Sequence, residues 1–219
     1  MIISFLNQKG GVGKTTLSGN VAYGLHLKGY KVTLVDSDPQ QTTLTWNNIR
    51  SGEGNELPFN VIATSANSLK NLTERLQKED GYDYVVIDGA PRMTDLARAA
   101  IIASDLIIMP MQPSGADIWA TDELKNIIEE AKHFKPTIIS AVLLNRMFSN
   151  TKLSKETVDS LKENDWSFFD TSIKQRQIYA AAISNGLTVY EMPNNKEAKD
   201  EINHLIEEIL SIKEMVNGH

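Results

Sequence analysis

Short apolar runs alternate with amphipathic stretches along almost the whole chain. Six runs read as buried strands: Ile2–Leu6, Lys31–Val35, Phe59–Ala63, Tyr84–Ile87, Leu106–Pro110 and Ile138–Leu144. Between and after them, amphipathic stretches predict helices over Thr15–Lys28, Gln41–Arg50, Ser68–Lys78, Met93–Ala103, Ala116–His133, Ser154–Asn164 and Lys196–Met215. Strand and helix in alternation predict an α/β fold, a mostly parallel twisted sheet with helices on both faces. Linkers are short, with only Ser51 to Pro58 reading as a longer polar loop. No repeat or low-complexity tract interrupts the pattern, so a single domain spanning residues 1–219 is expected.

Composition narrows the chemistry. With 41% hydrophobic and 23% charged residues among 219, the chain is ordinary globular material, large enough for a proper core. It has no cysteine, which excludes disulfides and thiolate-held metals or iron–sulfur clusters. His26, His133, His204 and His219 lack metal-ligand spacing, so zinc chemistry is not expected. The first strand begins at once, leaving no room for a signal peptide, and no apolar run approaches the roughly 20 residues of a membrane span. A soluble cytoplasmic protein is expected.

The most informative segment joins the first strand to the first helix: Gln8-Lys9-Gly10-Gly11-Val12-Gly13-Lys14-Thr15-Thr16. Strand, glycine-rich loop and helix make a phosphate-binding loop. Glycines let backbone N–H groups turn inward, and the helix start adds unpaired donors and the positive end of its dipole. Lys14 would reach the β- and γ-phosphates, and the Thr15 hydroxyl would ligate Mg²⁺. The loop departs from the ordinary G-x-x-x-x-G-K-[ST] pattern, because Gln8 occupies the first glycine position. A second lysine, Lys9, lies near its start.

That second lysine marks the deviant Walker A group, and the segment resembles the ParA/MinD family of partition and positioning ATPases. The resemblance implies a P-loop NTPase fold, ATP and Mg²⁺ as ligands, and a nucleotide-binding set of Lys9, Gly10, Gly11, Val12, Gly13, Lys14, Thr15 and Thr16. It also implies that Lys9 crosses an ATP-dependent homodimer interface to the partner's phosphates, where a cation offsets the triphosphate charge. Three further segments carry the likeness. Asp36-Ser37-Asp38-Pro39 at the end of the second strand supplies Asp38, which matches the residue that positions the attacking water, and Asp36, near the metal. Tyr82 to Pro91 resembles Walker B, with Asp88 holding Mg²⁺, usually through water. Gly89 to Thr94 then reads as a nucleotide-sensing switch. Asn145, after the strand ending at Leu144, matches the residue that hydrogen-bonds the adenine edge.

The likeness covers nearly the whole chain and is closest to the short ParF-like plasmid partition ATPases, because the P-loop starts at once, without an N-terminal helix-turn-helix extension. It continues through Pro110–Ser114 and Ile173–Tyr179. The net charge of −6 argues against a protein coated with nucleic-acid contacts, yet Thr171 to Tyr190 contains no acidic residue. Lys174 and Arg176, joined by Lys196 and Lys199, match the region where ParA-like proteins bind DNA without sequence preference. The C-terminal stretch from Asp200 to Leu210 has an apolar stripe but an acidic polar face that anionic lipid would repel, so it is read as a core-packing helix rather than a membrane anchor.

These readings imply a nucleoid-associated partition ATPase that segregates plasmid or chromosomal DNA. A ParB-like or adaptor protein bound to the cargo would stimulate its hydrolysis. A protein cargo, such as a chemoreceptor cluster or carboxysome, is the alternative. A metabolic P-loop enzyme of the dethiobiotin synthetase or nitrogenase-iron-protein kind is weaker, since no substrate motif stands out and cysteine is absent.

Overall fold

The computed structural model describes the chain except residues 93, 149–151, 164 and 218–219. In order its elements are β1 (Ile2–Phe5), α1 (Lys14–Leu27), β2 (Val32–Ser37), α2 (Thr42–Gly52), β3 (Val61–Ala63), α3 (Ala66–Lys78), β4 (Tyr84–Gly89), α4 (Asp95–Ala103), β5 (Leu106–Met111), α5 (Gly115–Lys132), β6 (Ile139–Leu144), α6 (Lys152–Glu163), α7 (Gln177–Ser184) and α8 (Lys196–Asn217). The strands form one sheet in the order β3-β2-β4-β1-β5-β6, and every pairing is parallel. All six expected strands are present, and the expected helices fall on α1 to α6 and α8 within a few residues. Met93 and Asn164, at the ends of two expected helices, lie outside the described residues. The structure adds α7, whose eight residues are too few to show helical periodicity clearly.

Alternation along each strand divides the core in two. Ile3 and Phe5 of β1, Tyr84 and Val86 of β4, and Leu106 and Ile108 of β5 face a layer containing α1, α2, α7 and α8. Their neighbours Ile2, Val85, Ile87, Ile107 and Met109 face α3, α4, α5 and α6. Both faces of every central strand are therefore buried and mostly apolar, which is why the sequence reads as largely continuous hydrophobic runs instead of an alternating pattern. In α8, Ile202, Leu205, Ile206 and Ile209 are fully buried at three- and four-residue spacing, so this helix packs on the core. Among the described residues no helix is long and apolar enough to cross a membrane.

The sheet order has a consequence for function. β4 lies between β2 and β1, so the carboxyl ends of these three strands converge on one rim. Asp36 on β2 is the register partner of Asp88 on β4, and Asp88 in turn pairs with Phe5 on β1, just before the glycine-rich loop. Open α/β sheets bind ligands at this rim. Gly89 makes the convergence tight: a Cβ there would lie 2.7 Å from the Phe5 carbonyl oxygen and overlap Leu6.

Candidate nucleotide site

The loop after β1 is shaped by its own polar groups before any ligand is considered. Asn7 is buried. Its side-chain amide donates to the Pro110 carbonyl at 2.8 Å, and its carbonyl accepts the Lys9 N–H at 2.9 Å. Gly13 caps α1 in the left-handed region at φ 100°, where an L side chain is strained, and a Cβ there would overlap the Asn145 amide. Gly13 thus closes the loop and begins the helix whose free N–H groups face the rim. Lys14 is buried and lies across the loop, donating to the Asn7 and Lys9 carbonyls, both at 3.2 Å. Burial lowers its pKa, with Asp88 and Asp38 pulling the other way. A desolvated lysine held by carbonyls at the start of a helix is placed to meet an anion.

Asp88 is wholly buried. Thr15 donates to its Oδ2 at 2.6 Å from the start of α1, and Thr43 donates to the same oxygen at 2.6 Å from the first turn of α2. Its Oδ1 is buried without a partner. Burial pushes the Asp88 pKa up to about 7, against the two hydroxyl donors that pull it down. A half-satisfied carboxylate beside a threonine hydroxyl fits a hard cation. Among the described residues no group of three or more His, Cys, Asp or Glu is placed to hold a metal ion by itself. The Thr15 hydroxyl and the Asp88 carboxylate suit Mg²⁺, which takes one or two protein oxygens and fills the rest of its octahedron with water and phosphate.

Asp36 and Asp38 divide their work. Asp36 is buried, and both its oxygens serve backbone amides: Oδ1 accepts Asp38 N–H at 2.9 Å and Oδ2 accepts Leu44 N–H at 3.0 Å. Burial raises its pKa, partly offset by those bonds. Its visible role is to hold the turn and the start of α2, which places Thr43. Asp38 lies higher on the rim, half exposed, with Oδ1 accepting the Gln40 N–H at 2.9 Å.

Lys9 is tied within its own chain. Its ammonium donates to Asp117 Oδ2 at 2.7 Å, with Lys9 41% exposed and Asp117 buried. Ser114 caps α5, accepting the Asp117 N–H, and its hydroxyl also bonds the Asp117 carboxylate. Sequence reasoning missed both Asp117 and Thr43. The Ser114-x-x-Asp117 spacing is a helix-start signature that was there to be read; nothing near Thr43 in sequence marked it.

Asn145 donates to the Val12 carbonyl at 2.7 Å and lines a cleft of about 140 Å³ with Gly13, Thr16, Lys174, Arg176 and Tyr179. Two expected DNA contacts, Lys174 and Arg176, thus stand on the wall of a cleft opening beside the glycine-rich loop. The segment that is free of acids in sequence is not so in space. Glu201 of α8 accepts Arg176 Nε at 2.9 Å and the Tyr179 hydroxyl at 2.9 Å, and the Lys174 N–H also reaches it. The Lys174 ammonium donates to Ser172. Lys196 is exposed at the start of α8, with Lys199 one turn further on. The segment expected to act as a switch is anchored where the Arg92 N–H donates to the Gln8 carbonyl at 3.0 Å, and Thr94 caps α4; Met93 lies outside the described residues.

A parallel sheet whose central strand leads through a glycine-rich loop into a helix, with a lysine and a buried carboxylate at the same rim, defines a P-loop nucleotide-binding protein. Comparison with known proteins agrees. The profile of the CobQ/CobB/MinD/ParA nucleotide binding domain matches residues 3–189, and the chain belongs to that family. The maintenance of carboxysome distribution protein A of Halothiobacillus neapolitanus is 29% identical over 211 residues, 95% of each chain. Protein ParA of Rhizobium radiobacter is 27% identical over 206 residues, 89% of this chain and 87% of its own. Among solved structures, the septum site-determining protein MinD of Pyrococcus horikoshii OT3, complexed with Mg-ADP, has a TM-score of 0.77 at 18% identity over 98% of both chains, a likeness of fold.

Proposed function

We propose that the whole chain acts as one ParA-like ATPase domain that binds Mg-ATP, dimerises in that state and positions a cargo on nonspecific DNA. The observation that carries this reading is the second loop lysine, Lys9, poised at the mouth of a P-loop whose Lys14, Thr15 and Asp88 already converge. The loop amides from Gly10 to Thr16 and Lys14 hold the phosphates. Asn145 and the cleft beside it receive the base. Thr15 and Asp88, with Asp36 behind them, would hold Mg²⁺, which when bound neutralises phosphate charge during transfer. Asp38 orients a water for attack on the γ-phosphorus; the bond to the bridging oxygen breaks, leaving ADP and phosphate. Lys9 leaves Asp117 and completes the partner subunit's site, which makes the dimer depend on the triphosphate.

DNA segregation with a cargo-bound ParB-like partner is the main reading, supported by the ParA relative. Positioning of a protein assembly shares every step of this chemistry and is supported by the carboxysome-distribution relative. In both, Lys196, Lys199, Lys174 and Arg176 supply phosphate contacts, and the protein works on the nucleoid in the cytoplasm.

Lys9 and Lys14 give the test. Lys14→Ala should abolish binding of a fluorescent ATP analogue. Lys9→Ala should leave that binding intact but remove ATP-dependent dimerisation, read by light scattering, together with phosphate release. A Lys9→Ala protein that still dimerises and turns over normally overturns the role assigned to Lys9.

A further inference from the structure

Helix α2 is held at both ends by buried hydrogen bonds. Its buried residues Thr43, Trp46 and Arg50 recur at three- and four-residue spacing, so one face of the helix carries all three. The upper end of that face meets the carboxylates of the rim. Thr43 donates to Asp88 Oδ2 at 2.6 Å, and the Leu44 N–H donates to Asp36 Oδ2 at 3.0 Å. The lower end, about 10 Å away at 1.5 Å per residue, meets the segment that leaves α7. Trp46 Nε1 donates to the Leu187 carbonyl and Arg50 to the Gly186 carbonyl, both at 3.2 Å. The Arg50 guanidinium also makes a bidentate pair with Glu191, at 2.8 and 2.5 Å. Backbone lies against backbone here: a Cβ on Gly186, at φ +68°, would stand 2.5 Å from the Arg50 nitrogen and 2.7 Å from its Cα.

The segment that α2 grips is tied in turn to α7. The Leu187 N–H donates to the Ala182 carbonyl at 2.9 Å, and Glu191 accepts the Thr188 N–H and hydroxyl, both at 2.9 Å. Tyr179, Ala180 and Ile183 of α7 form a wall of the cleft beside Asn145. Helix α2 therefore bridges the two ends of the candidate site. Thr43 bears on the carboxylate that would hold Mg²⁺, and Arg50 bears on the helix that walls the cleft. A bidentate Arg–carboxylate pair fixes orientation as well as distance, which apolar packing at the same place does not. We propose that Arg50 and Glu191 are positioning residues that clamp α7 to α2, so that Mg²⁺ and the nucleotide base bind cooperatively. A shift of Thr43 on metal binding moves a helix whose other end is fastened to the cleft wall. By linkage, base occupancy favours the metal to the same degree. The clamp rests on the ATPase reading, with the base beside Asn145, and adds to it how the two ends of the site communicate.

The experiment compares ADP with inorganic pyrophosphate by calorimetry, each with and without Mg²⁺; neither ligand carries the triphosphate that would drive dimerisation. Both occupy the phosphate loop, so the ratio of their affinities reports the base. In the wild type, Mg²⁺ should raise that ratio on the order of 10-fold, a usual size for coupling between sites. Removing only one partner would leave the other's charge buried and endanger the fold. The clamp is therefore removed as Arg50→Met with Glu191→Leu, and separately pried open by Gly186→Ala, which alters no charge. In both variants ADP affinity should fall on the order of 10-fold with pyrophosphate affinity unchanged, and Mg²⁺ should no longer raise the ratio. A pair that merely stabilised the fold would lower the melting temperature and leave the ratio and its Mg²⁺ response as in the wild type, which overturns the proposal. So does an equal loss for both ligands, or a wild-type ratio that ignores Mg²⁺. Failure of the underlying reading shows elsewhere: Lys14→Ala would bind both ligands undiminished, or Asn145→Ala would leave the ratio unchanged.

Discussion

Thr43→Val removes one of the two hydroxyl donors to Asp88 while keeping side-chain shape. The structure sets the size of the effect. Asp88 is fully buried, its Oδ2 accepts from Thr15 and Thr43 at 2.6 Å each, and its Oδ1 has no partner. A hydrogen bond to an ionised group is worth about 1.5–3 kcal/mol, so losing one disfavours the carboxylate form by roughly 10- to 150-fold. Metal binding needs that ionised form, so Mg²⁺-dependent nucleotide affinity should fall by that factor, while Thr43→Ser should restore it. The assay is Mg²⁺ titration of a fluorescent ATP analogue, with the melting temperature of each variant as a control for folding. The pH dependence follows from the Asp88 pKa of about 7, raised from 3.8 by burial. Between those values the folded protein keeps a proton that the unfolded chain has released. In the ligand-free protein this group's contribution to stability therefore falls as pH rises across that window, by at most about 4 kcal/mol. Mg²⁺ affinity runs the other way, strengthening as pH rises toward and past 7. Thr43→Val should move the Mg²⁺ midpoint to higher pH. An unchanged midpoint and unchanged affinity in a folded Thr43→Val protein would refute the reasoning and reduce Thr43 to packing.

Two further substitutions separate the remaining roles. Asp38→Ala should keep ATP binding and accumulate the ATP dimer, with single-turnover hydrolysis slower by roughly 10²–10⁴-fold; an equal loss of ATP affinity would place Asp38 in ligand binding instead. Lys196→Ala with Lys199→Ala should weaken DNA binding in fluorescence titrations and flatten its salt slope by about 0.9 per lost phosphate contact, leaving nucleotide affinity alone. Lys174→Ala with Arg176→Ala should weaken both, because these residues line the cleft beside Asn145 and Arg176 braces it through Glu201. Nucleotide affinity unaffected by that pair would show that the cleft wall does not contact the base.

The strands, the helices and the glycine-rich loop were legible in the chain because each is local. A run such as Tyr84–Ile87 is apolar on both faces, and Gly10 to Thr15 spells its chemistry in consecutive residues. That Asp36, Asp38 and Asp88 would share one place was legible for a related reason: each lies at or just after the end of a strand, and strand ends in such a sheet share one rim. Contacts made across that rim were not legible. Thr43 reaches Asp88 only because β2 lies beside β4, and Asp117 reaches Lys9 only because α5 starts next to the loop, 108 residues away in sequence. The acid-free stretch from Thr171 to Tyr190 taught the same lesson in reverse. Its cations looked free in sequence, and folding set Glu201 of α8 against Arg176. Charge along a chain is a one-dimensional quantity, whereas pairing depends on distance in three dimensions, which only the packing of helices on the sheet decided.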